Sequence, residues 1–171
     1  MAHHARTLPS PIGQLRLVVD DVGRLLRIHL PGDAVALVAP PAERYEPGDC
    51  CERVARQLIE YFDGARREFD LELAPTGTPF QLRAWRALQQ IPFAETRNYQ
   101  QQALAIGKPT ATRAVGAANG KNPLPIVVPC HRVIGKDGSL VGFGGGLSCK
   151  RWLLAHEAAV IAGSPPRPQH A

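Results

Sequence analysis

The stretch that decides both the fold and the chemistry of this chain is residues 122–135, which read NPLPIVVPCHRVIG. Its apolar run at 126–128 lies between prolines and predicts a rigid buried strand that brings Cys130 and His131 to one place. A thiol is a poor nucleophile at its ordinary pKa of about 8.5, so a nearby base or positive charge is needed to ionise it. Adjacent side chains on a strand point apart, and contact between these two needs a turn at Cys130 or a bridging water.

Taken alone, a Cys-His pair is more often structural than catalytic. The plain interpretation is a buried cysteine beside a histidine that caps another group. The surroundings of the pair therefore have to decide between the two interpretations.

Two short helices precede this stretch. We predict one over residues 99–106 and a second that ends at Gly120, with Thr110 as its N-cap. The turn between them, 107–109, contains glycine, and such a pair indicates a helix-turn-helix. The indication is weak by itself, because pairs of this kind occur in many helical domains.

Two longer helices frame the second half of the chain. The first ends before Pro92 and has an apolar face made by Phe80, Ala84, Trp85 and Leu88. The last helix is predicted over residues 150–161, and its inward residues are Trp152, Leu153 and Leu154. The second half is thus predicted to be mostly helical.

The first half carries strand patterns. Residues 12–30 alternate loosely around a turn at 20–23 and predict a hairpin that opens a small sheet. After a loop at 39–48, Asp49 is a candidate cap for a helix over 50–62. The apolar face of that helix is formed by Val54, Leu58, Ile59 and Phe62, and Gly64 ends it. Phe69, Leu71 and Leu73 alternate as a further strand.

These elements predict an α+β (α/β) fold in two lobes. Residues 1–75 form a small N-terminal antiparallel sheet with a helix, and residues 76–162 form a mostly helical lobe that contains the helix-turn-helix. The boundary is placed at the Pro- and Gly-rich segment 74–79. The Pro-rich residues 163–171 are predicted to be a disordered tail.

Charge divides the chain at the same place. Residues 1–75 carry 9 Arg against 12 acidic residues, a net −3, and residues 76–171 carry 11 Lys and Arg against 3 acidic residues, a net +8. A basic half indicates a polyanionic partner, and nucleic acid is the usual one, although an unevenly charged surface is an equally good interpretation of charge alone.

The stretch around Cys130 resembles the active-site signature of the O6-alkylguanine-DNA alkyltransferases, also called methylated-DNA–protein-cysteine methyltransferases. The core match is PCHRV at residues 129–133. Further blocks match in the same order: RAVG at 113–116, AN at 118–119, NP at 122–123, GGL at 145–147 and the final block over 150–157. The likeness covers about residues 78–158, and a weaker part extends over 58–71. Several ordered blocks are far more specific than one motif.

The resemblance implies a reaction and its catalytic residues. The protein would take a methyl or other alkyl group from O6-alkylguanine, and from O4-alkylthymine, in duplex DNA. Cys130 would accept the group, and His131 would act as its base through an ordered water. Glu157 would fix the tautomer of the imidazole. Asn122 would bond the turn that holds these residues and touch the carboxylate. The thioether product is stable, so each molecule would react once.

The resemblance also implies how DNA is handled. The damaged base must be rotated out of the duplex to meet a thiol. Arg113 would fill the vacated space, and Tyr99 would crowd the rotating phosphate and donate its O–H to the flipped guanine. Small residues at Gly116 and Ala117 would let the helix lie against the minor groove. The other implied contacts with DNA or substrate are Ala114, Val133, Phe143, Gly145 and Lys150. The plainer interpretations are a solvated Arg113 and a half-buried core Tyr99.

Three positions depart from the family pattern. Phe143 and Gly144 stand where relatives more often have tyrosine and a small residue such as serine or alanine. Phe143 can still stack on a flipped base but lacks the hydroxyl, which puts the substrate preference in doubt. Ala94 replaces a common glycine, which is a minor change.

Several features are expected to be absent. No cofactor and no metal are implied, and His3, His4 and His29 form no zinc site if the first two lie in a mobile tail. No apolar run spans a membrane, no secretory signal is visible, and we expect a cytoplasmic monomer. Two other functions remain open: a lesion-binding protein without catalysis, which Cys130 argues against, and a Cys-His-Glu hydrolase, which would need an oxyanion hole.

Overall fold

The computed structural model describes residues 3–33 and 50–163. Its first half contains a three-stranded antiparallel sheet and one helix, and most of its second half is helical, so the predicted α+β class is confirmed. In chain order the elements are β1 (His3–Ser10), β2 (Gly13–Asp20), β3 (Leu25–His29), α1 (Glu52–Phe62), α2 (Pro79–Gln89), β4 (Arg97–Asn98), α3 (Tyr99–Ala105), α4 (Thr112–Gly120), a short 3-10 helix (Cys130–Arg132), β5 (Val133–Ile134) and α5 (Leu147–Ile161). The predicted loop at 39–48, the cap at Asp49 and the tail from residue 164 lie outside the described residues.

The predicted hairpin is confirmed as β2 and β3, but the edge strand β1 was not predicted. β1 pairs with β2 along its whole length, from His3 opposite Asp20 to Ser10 opposite Gly13. Leu8 is its only buried residue, so the strand has little of the apolar alternation that reveals strands in a sequence. Its Pro9 is tolerated because an edge strand has free backbone positions. His3 and His4 therefore belong to a strand and not to a mobile tail.

Helix α1 buries three of the four predicted apolar residues, and Tyr61 is buried instead of Ile59. Tyr61 is fully buried, whereas Ile59 is 44% exposed. The helix starts at Glu52 with Cys51 at the N-cap position. The predicted apolar residues Val54, Leu58 and Phe62 do lie in the core. Tyr61, which is buried instead of Ile59, faces the second half of the chain and contacts Glu157.

The predicted strand at Phe69, Leu71 and Leu73 is wrong. The segment is extended, but only Leu73 makes a sheet-like bridge, with Leu25 of β3. The Leu25 N–H donates to the carbonyl of Glu72 at 2.8 Å, and the Ala74 N–H donates to the Leu25 carbonyl at 2.9 Å. The other apolar residues of the segment pack on the core without a partner strand.

The helix-turn-helix is formed by α3 and α4. A buried amide pair locks the two helices: Gln102 Nε2 donates to Asn119 Oδ1 at 2.9 Å, and Asn119 Nδ2 donates to Gln102 Oε1 at 2.7 Å. Helix α4 begins at Thr112 with Ala111 at the N-cap position and no side-chain cap, so the predicted capping by Thr110 is wrong. α3 instead has a capping box made by Asn98 and Gln101.

Helix α5 begins one turn earlier than predicted, at Leu147. Leu153 is buried as expected, and Trp152 and Leu154 are only partly buried. The remaining buried residues of this helix are Cys149, Lys150, His156, Glu157 and Val160. Three of these residues, Lys150, His156 and Glu157, are basic or acidic and face the interior of the protein.

One hydrophobic core joins residues from both predicted lobes, including Leu17 and Leu58 of the first half and Trp85 and Leu153 of the second. Two backbone links fix the Cys130 region against both halves. The Ile28 N–H of β3 donates to the Pro123 carbonyl at 2.8 Å. Parallel pairing of β4 with β5 places the start of α3 beside residue 133. The lobe boundary near residue 75 remains a prediction.

Candidate active site

Residues 122–129 form a buried turn and not the predicted strand. The three prolines in the segment have no N–H to give to a sheet, so the backbone bonds locally. Asn122 holds the turn: its amide nitrogen donates to the Val128 carbonyl at 2.8 Å, and its amide oxygen accepts from the Leu124 N–H at 2.9 Å. Ile126 has a φ of +76°, a conformation that a β-branched residue rarely adopts.

Cys130 follows this turn at the start of the 3-10 helix, so the chain does bend where the sequence required it to. The residue is 9% exposed. Burial raises the pKa of its thiol, while a hydrogen bond from the Asn122 side chain and the charge of Lys150 act in the opposite direction. Cys130 therefore rests as a neutral thiol. A base would have to remove its proton before the sulfur could act as a nucleophile.

His131 is placed to be that base. Its Nε2 lies 2.7 Å from Glu157 Oε1, and neither side chain has exposed surface. Burial lowers the pKa of His131 by more than Glu157 raises it, so the imidazole is neutral. An ionised carboxylate only accepts hydrogen bonds, so the single N–H lies on Nε2. The remaining nitrogen, Nδ1, is buried and has no hydrogen-bond partner among the described residues. A free acceptor nitrogen on the residue next to Cys130 is what proton removal requires.

Glu157 is surrounded by donors. Its Oε1 accepts from Tyr61 Oη at 2.8 Å and from Arg132 Nη2 at 2.8 Å, in addition to His131. Its Oε2 accepts from Arg132 Nε at 2.9 Å and from the Ala94 N–H at 3.0 Å. Burial opposes ionisation, but the hydrogen bonds of His131 and Arg132 and the Arg132 charge hold the pKa of Glu157 well below its ordinary value. Glu157 therefore stays charged and orients His131 without taking its proton.

Sequence reasoning missed two of these donors. Arg132 lies inside the matched block PCHRV, but the block alone gives it no role. In the structure it pairs with Glu157, donates to the Ile91 carbonyl at 2.8 Å and lies over the Phe93 ring at 5.6 Å. Tyr61 had no sequence signal, because 96 residues separate it from Glu157. Contact between Asn122 and the carboxylate is not found among the hydrogen bonds of the described residues.

Lys150 is buried and holds the loop that follows β5 in place through hydrogen bonds. Its Nζ donates to the carbonyls of Val133 at 2.6 Å and Val141 at 2.9 Å. The Val141 carbonyl also accepts from the Tyr99 hydroxyl at 3.0 Å. Lys150 has no exposed surface, so the structure does not support the predicted direct contact with DNA. Its charge instead acts inside the site, close enough to influence Cys130.

A cavity of about 240 Å³ opens at Cys130. Arg27 and Ile28 of strand β3 and Leu30 just after it form part of its wall, and the loop residues Phe143 and Gly144 form another part. A slightly larger cavity, about 270 Å³, has Arg132 but not Cys130 in its wall, so the smaller cavity is the candidate site.

Gly145 allows this loop to lie against the sheet. A Cβ on Gly145 would come within 3.0 Å of Leu30 Cδ1 and 3.2 Å of Leu30 Cβ. Phe143 packs partly buried against the core. Gly144, by contrast, has open space where a side chain would be. A side chain at position 144 would therefore meet no other residue, whereas one at position 145 would require Leu30 to move by a few tenths of an ångström.

Helix α4 presents one long cationic side chain among small ones. Arg113, Ala114 and Ala117 are exposed, whereas Val115 is buried. Gly116 lies against the predicted substrate residue Tyr99: a Cβ on Gly116 would be 3.8 Å from the Tyr99 ring. Tyr99 is half-buried. It contacts the predicted DNA-facing helix at Gly116 and, through its hydroxyl, the Val141 carbonyl of the loop beside the Cys130 site.

Within residues 3–33 and 50–163, no group of three or more histidine, cysteine, aspartate or glutamate side chains is arranged to hold a metal ion. All four cysteines are free thiols. No helix in the described part of the chain is both long and apolar enough to cross a membrane.

The chain is similar to known proteins over most of its length. Residues 79–159 match the family described as 6-O-methylguanine DNA methyltransferase, DNA binding domain. A methylated-DNA–protein-cysteine methyltransferase of Mycolicibacterium paratuberculosis is 60% identical over 160 residues, which cover 89% of this chain and 90% of the relative. Another, from Methanosarcina barkeri, is 46% identical over 150 residues, covering 88% and 94%.

Solved structures agree with these matches. The crystal structure of Mycobacterium tuberculosis OGT in complex with DNA superposes with a TM-score of 0.82 at 43% identity and covers 95% of both chains. The O6-methylguanine-DNA methyltransferase of Pyrococcus kodakaraensis superposes with a TM-score of 0.65 at 22% identity, covering 90% of this chain and 98% of that one, and shows the shared fold.

Proposed function

The chain belongs to the methylated-DNA–protein-cysteine methyltransferase family, and from this premise we propose that it repairs DNA by moving an alkyl group from guanine O6 to its own Cys130. The observation that carries the proposal is the buried pair of His131 and Glu157, 2.7 Å apart, in which His131 directly follows Cys130, the one cysteine among the described residues in the wall of the cavity. The acceptor, the base and the orienting carboxylate each have a place in this arrangement.

The reaction begins with proton removal. Because Cys130 is a neutral thiol, its proton passes to His131 Nδ1, the nitrogen that has no hydrogen-bond partner in the described part of the chain. An ordered water between the sulfur and Nδ1 would carry it, since a buried polar atom without a protein partner is the usual site of such a water. The charges of Glu157 and Lys150 then stabilise the imidazolium and the thiolate respectively.

The thiolate sulfur attacks the alkyl carbon in line with the bond to guanine O6. The S–C bond forms while the C–O bond breaks, and the electron pair of that bond returns to the guanine. The guanine gains one proton, so the thiol proton lost by Cys130 balances the reaction overall. Tyr99 would supply a hydrogen bond to the leaving base after its hydroxyl turns away from the Val141 carbonyl. The thioether has no route back to a thiol, and each molecule reacts once.

The basic half of the chain would hold the DNA. Helix α4 would enter the minor groove with Ala114, Gly116 and Ala117, whose small side chains permit close approach to the backbone. Arg113 would occupy the gap left by the rotated base. Such contacts are made mainly to the DNA backbone and not to base edges, so they depend little on sequence. This suits repair of a lesion in any sequence. O4-alkylthymine would be a second substrate of the same site.

The protein would act as a monomer, because Cys130, His131 and Glu157 all come from one chain. A reducing compartment, the cytoplasm, suits a reaction that consumes a free thiol.

A restoration assay tests the proposal. Duplex DNA that contains O6-methylguanine is incubated with the protein, and the bases are then analysed for unmodified guanine. The proposal predicts restored guanine in an amount equal to the protein added. A lesion binder would leave the methylated base in place, and a hydrolase would leave the DNA unchanged while cleaving an acyl substrate.

A further inference from the structure

Tyr61 reaches from the first half of the chain into the centre of the site. Its hydroxyl donates to Glu157 Oε1 at 2.8 Å, the same oxygen that contacts His131 Nε2 at 2.7 Å. The side chain has no exposed surface. Tyr61 is therefore the one tie from helix α1 to the acid-base pair among the described hydrogen bonds.

The position of the Tyr61 ring is fixed on several sides. The ring lies 5.6 Å from Phe69, 6.1 Å from Phe93 and 5.3 Å from His156, measured between ring centroids. The Tyr61 carbonyl also accepts from His156 Nε2 at 2.7 Å. Burial and the nearby Glu157 raise the pKa of the phenol well above its ordinary value, so the hydroxyl remains a donor. A fixed donor of this kind acts on Glu157 in every conformation that keeps the core packed.

A donor on Oε1 has a predictable electrostatic effect on His131. The positive end of the O–H dipole offsets part of the negative charge on that oxygen, which weakens the attraction of Glu157 for an imidazolium. His131 is then more easily neutral and available as a base. The other charged groups that face the pair are Arg132, on Glu157, and Lys150, near His131.

We propose that the Tyr61 hydroxyl is a positioning group of the alkyl-transfer reaction, which fixes Glu157 and limits the attraction of its Oε1 for a proton on His131. The inference rests on the proposed function. It gives the N-terminal lobe a part in the chemistry beyond structural support, because helix α1 supplies a donor without which the base would titrate at a higher pH.

The test is the pH dependence of single-turnover transfer from the free O6-methylguanine base, which removes any effect of pH on DNA binding. Tyr61→Phe deletes only the oxygen and keeps the ring packing. The acid limb of its rate profile should move to higher pH by about 0.5 to 1 unit, so that well below the midpoints of both profiles its slowing exceeds its slowing at pH 8 by about 3- to 10-fold. A ring-fluorinated tyrosine at position 61, a stronger donor, should move the limb to lower pH.

Gln57→Met is the matched control on the same helix. Gln57 is buried and makes two hydrogen bonds to the Asp70 backbone, at 3.0 and 2.9 Å, and it does not touch Glu157. This variant should lose stability in urea without moving the acid limb. The role of Tyr61 would be overturned if the rate profiles of both position-61 variants superimposed on the wild-type profile. It would also be overturned if Gln57→Met moved the acid limb as far as Tyr61→Phe does. A wild-type protein that transfers nothing would instead overturn the proposed function, and with it this inference.

Discussion

His131 Nε2 and Glu157 Oε1 lie 2.7 Å apart in a region from which solvent is excluded on both sides. The contact makes one protonation pattern favourable: a charged Glu157 and a neutral His131 whose N–H is directed at it. The nitrogen left over is the one that can accept a proton from Cys130. Several consequences of this arrangement can be measured.

Glu157→Gln should unfold more easily and transfer more slowly. The substitution leaves the buried Arg132 without its counter-charge, and breaking a buried ion pair from one side typically costs about 3 kcal/mol. Urea denaturation measures the loss. The matched control is Glu95→Gln, which breaks the exposed pair with Arg97 and should cost less than about 1 kcal/mol. Equal losses in the two variants would contradict the burial of the Glu157 network.

Acid should weaken the fold from about pH 6.5 downward. The pKa of buried His131 lies below its ordinary value, so between the two values the unfolded chain binds more protons than the folded one and stability falls as the pH falls. The pKa of Glu157 is also lowered, and its contribution is lost only at more acidic pH. Urea denaturation at a series of pH values should show a shallower dependence for His131→Gln. An unchanged dependence would mean that His131 is not buried in its neutral form.

Lys150→Met should slow transfer while DNA binding stays within about twofold of wild type. The buried ammonium holds the carbonyls of Val133 and Val141 and offsets the cost of ionising Cys130, and it cannot reach a phosphate. Arg151→Met is the control, because it removes the same charge from an exposed neighbour on α5 and should chiefly weaken salt-sensitive binding. Binding titrations and single-turnover rates measure both. A large loss of affinity in Lys150→Met would restore the direct DNA contact predicted from the sequence.

Arg113→Ala should lower the transfer rate on duplex DNA much more than on the free modified base, which needs no rotation. Unstacking a base costs on the order of a few kcal/mol, and a side chain that fills the gap offsets part of this. A lesion opposite a mismatch rotates more easily and should recover part of the rate. Single-turnover rates on the three substrates make the comparison. Equal slowing on all three would assign Arg113 a structural or catalytic role.

The fold class and the central residues could be predicted because they depend on local patterns. The hairpin, α2 and the helix-turn-helix follow from periodicity and turn residues, and Cys130, His131 and Glu157 follow from an ordered set of blocks. The edge strand β1 could not be predicted, because only Leu8 in it is buried. The apolar run at 126–128 predicts a strand, whereas the structure has a turn there, and nothing in an apolar run between prolines distinguishes the two.

The surroundings of the central residues depend on distant packing. Tyr61 meets Glu157 across 96 residues, and nothing near Tyr61 in the sequence indicates this partner. From its position in the basic half, Lys150 is expected to be a surface cation. In the structure it is buried and donates hydrogen bonds to two backbone carbonyls. Its burial, like the raised pKa of the Cys130 thiol, follows only from the assembled structure. The sequence therefore predicts which residues react, and the structure shows how the charges of these residues are balanced.

The central claim is that Cys130 itself keeps the alkyl group. Intact-protein mass followed by peptide mapping, after incubation with excess O6-methylguanine duplex, tests it most directly. The account predicts a gain of one methyl group per molecule, located on Cys130, and no gain in Cys130→Ser. It would be contradicted by an unmodified protein in the presence of repaired DNA, or by a methyl group on Cys50, Cys51 or Cys149.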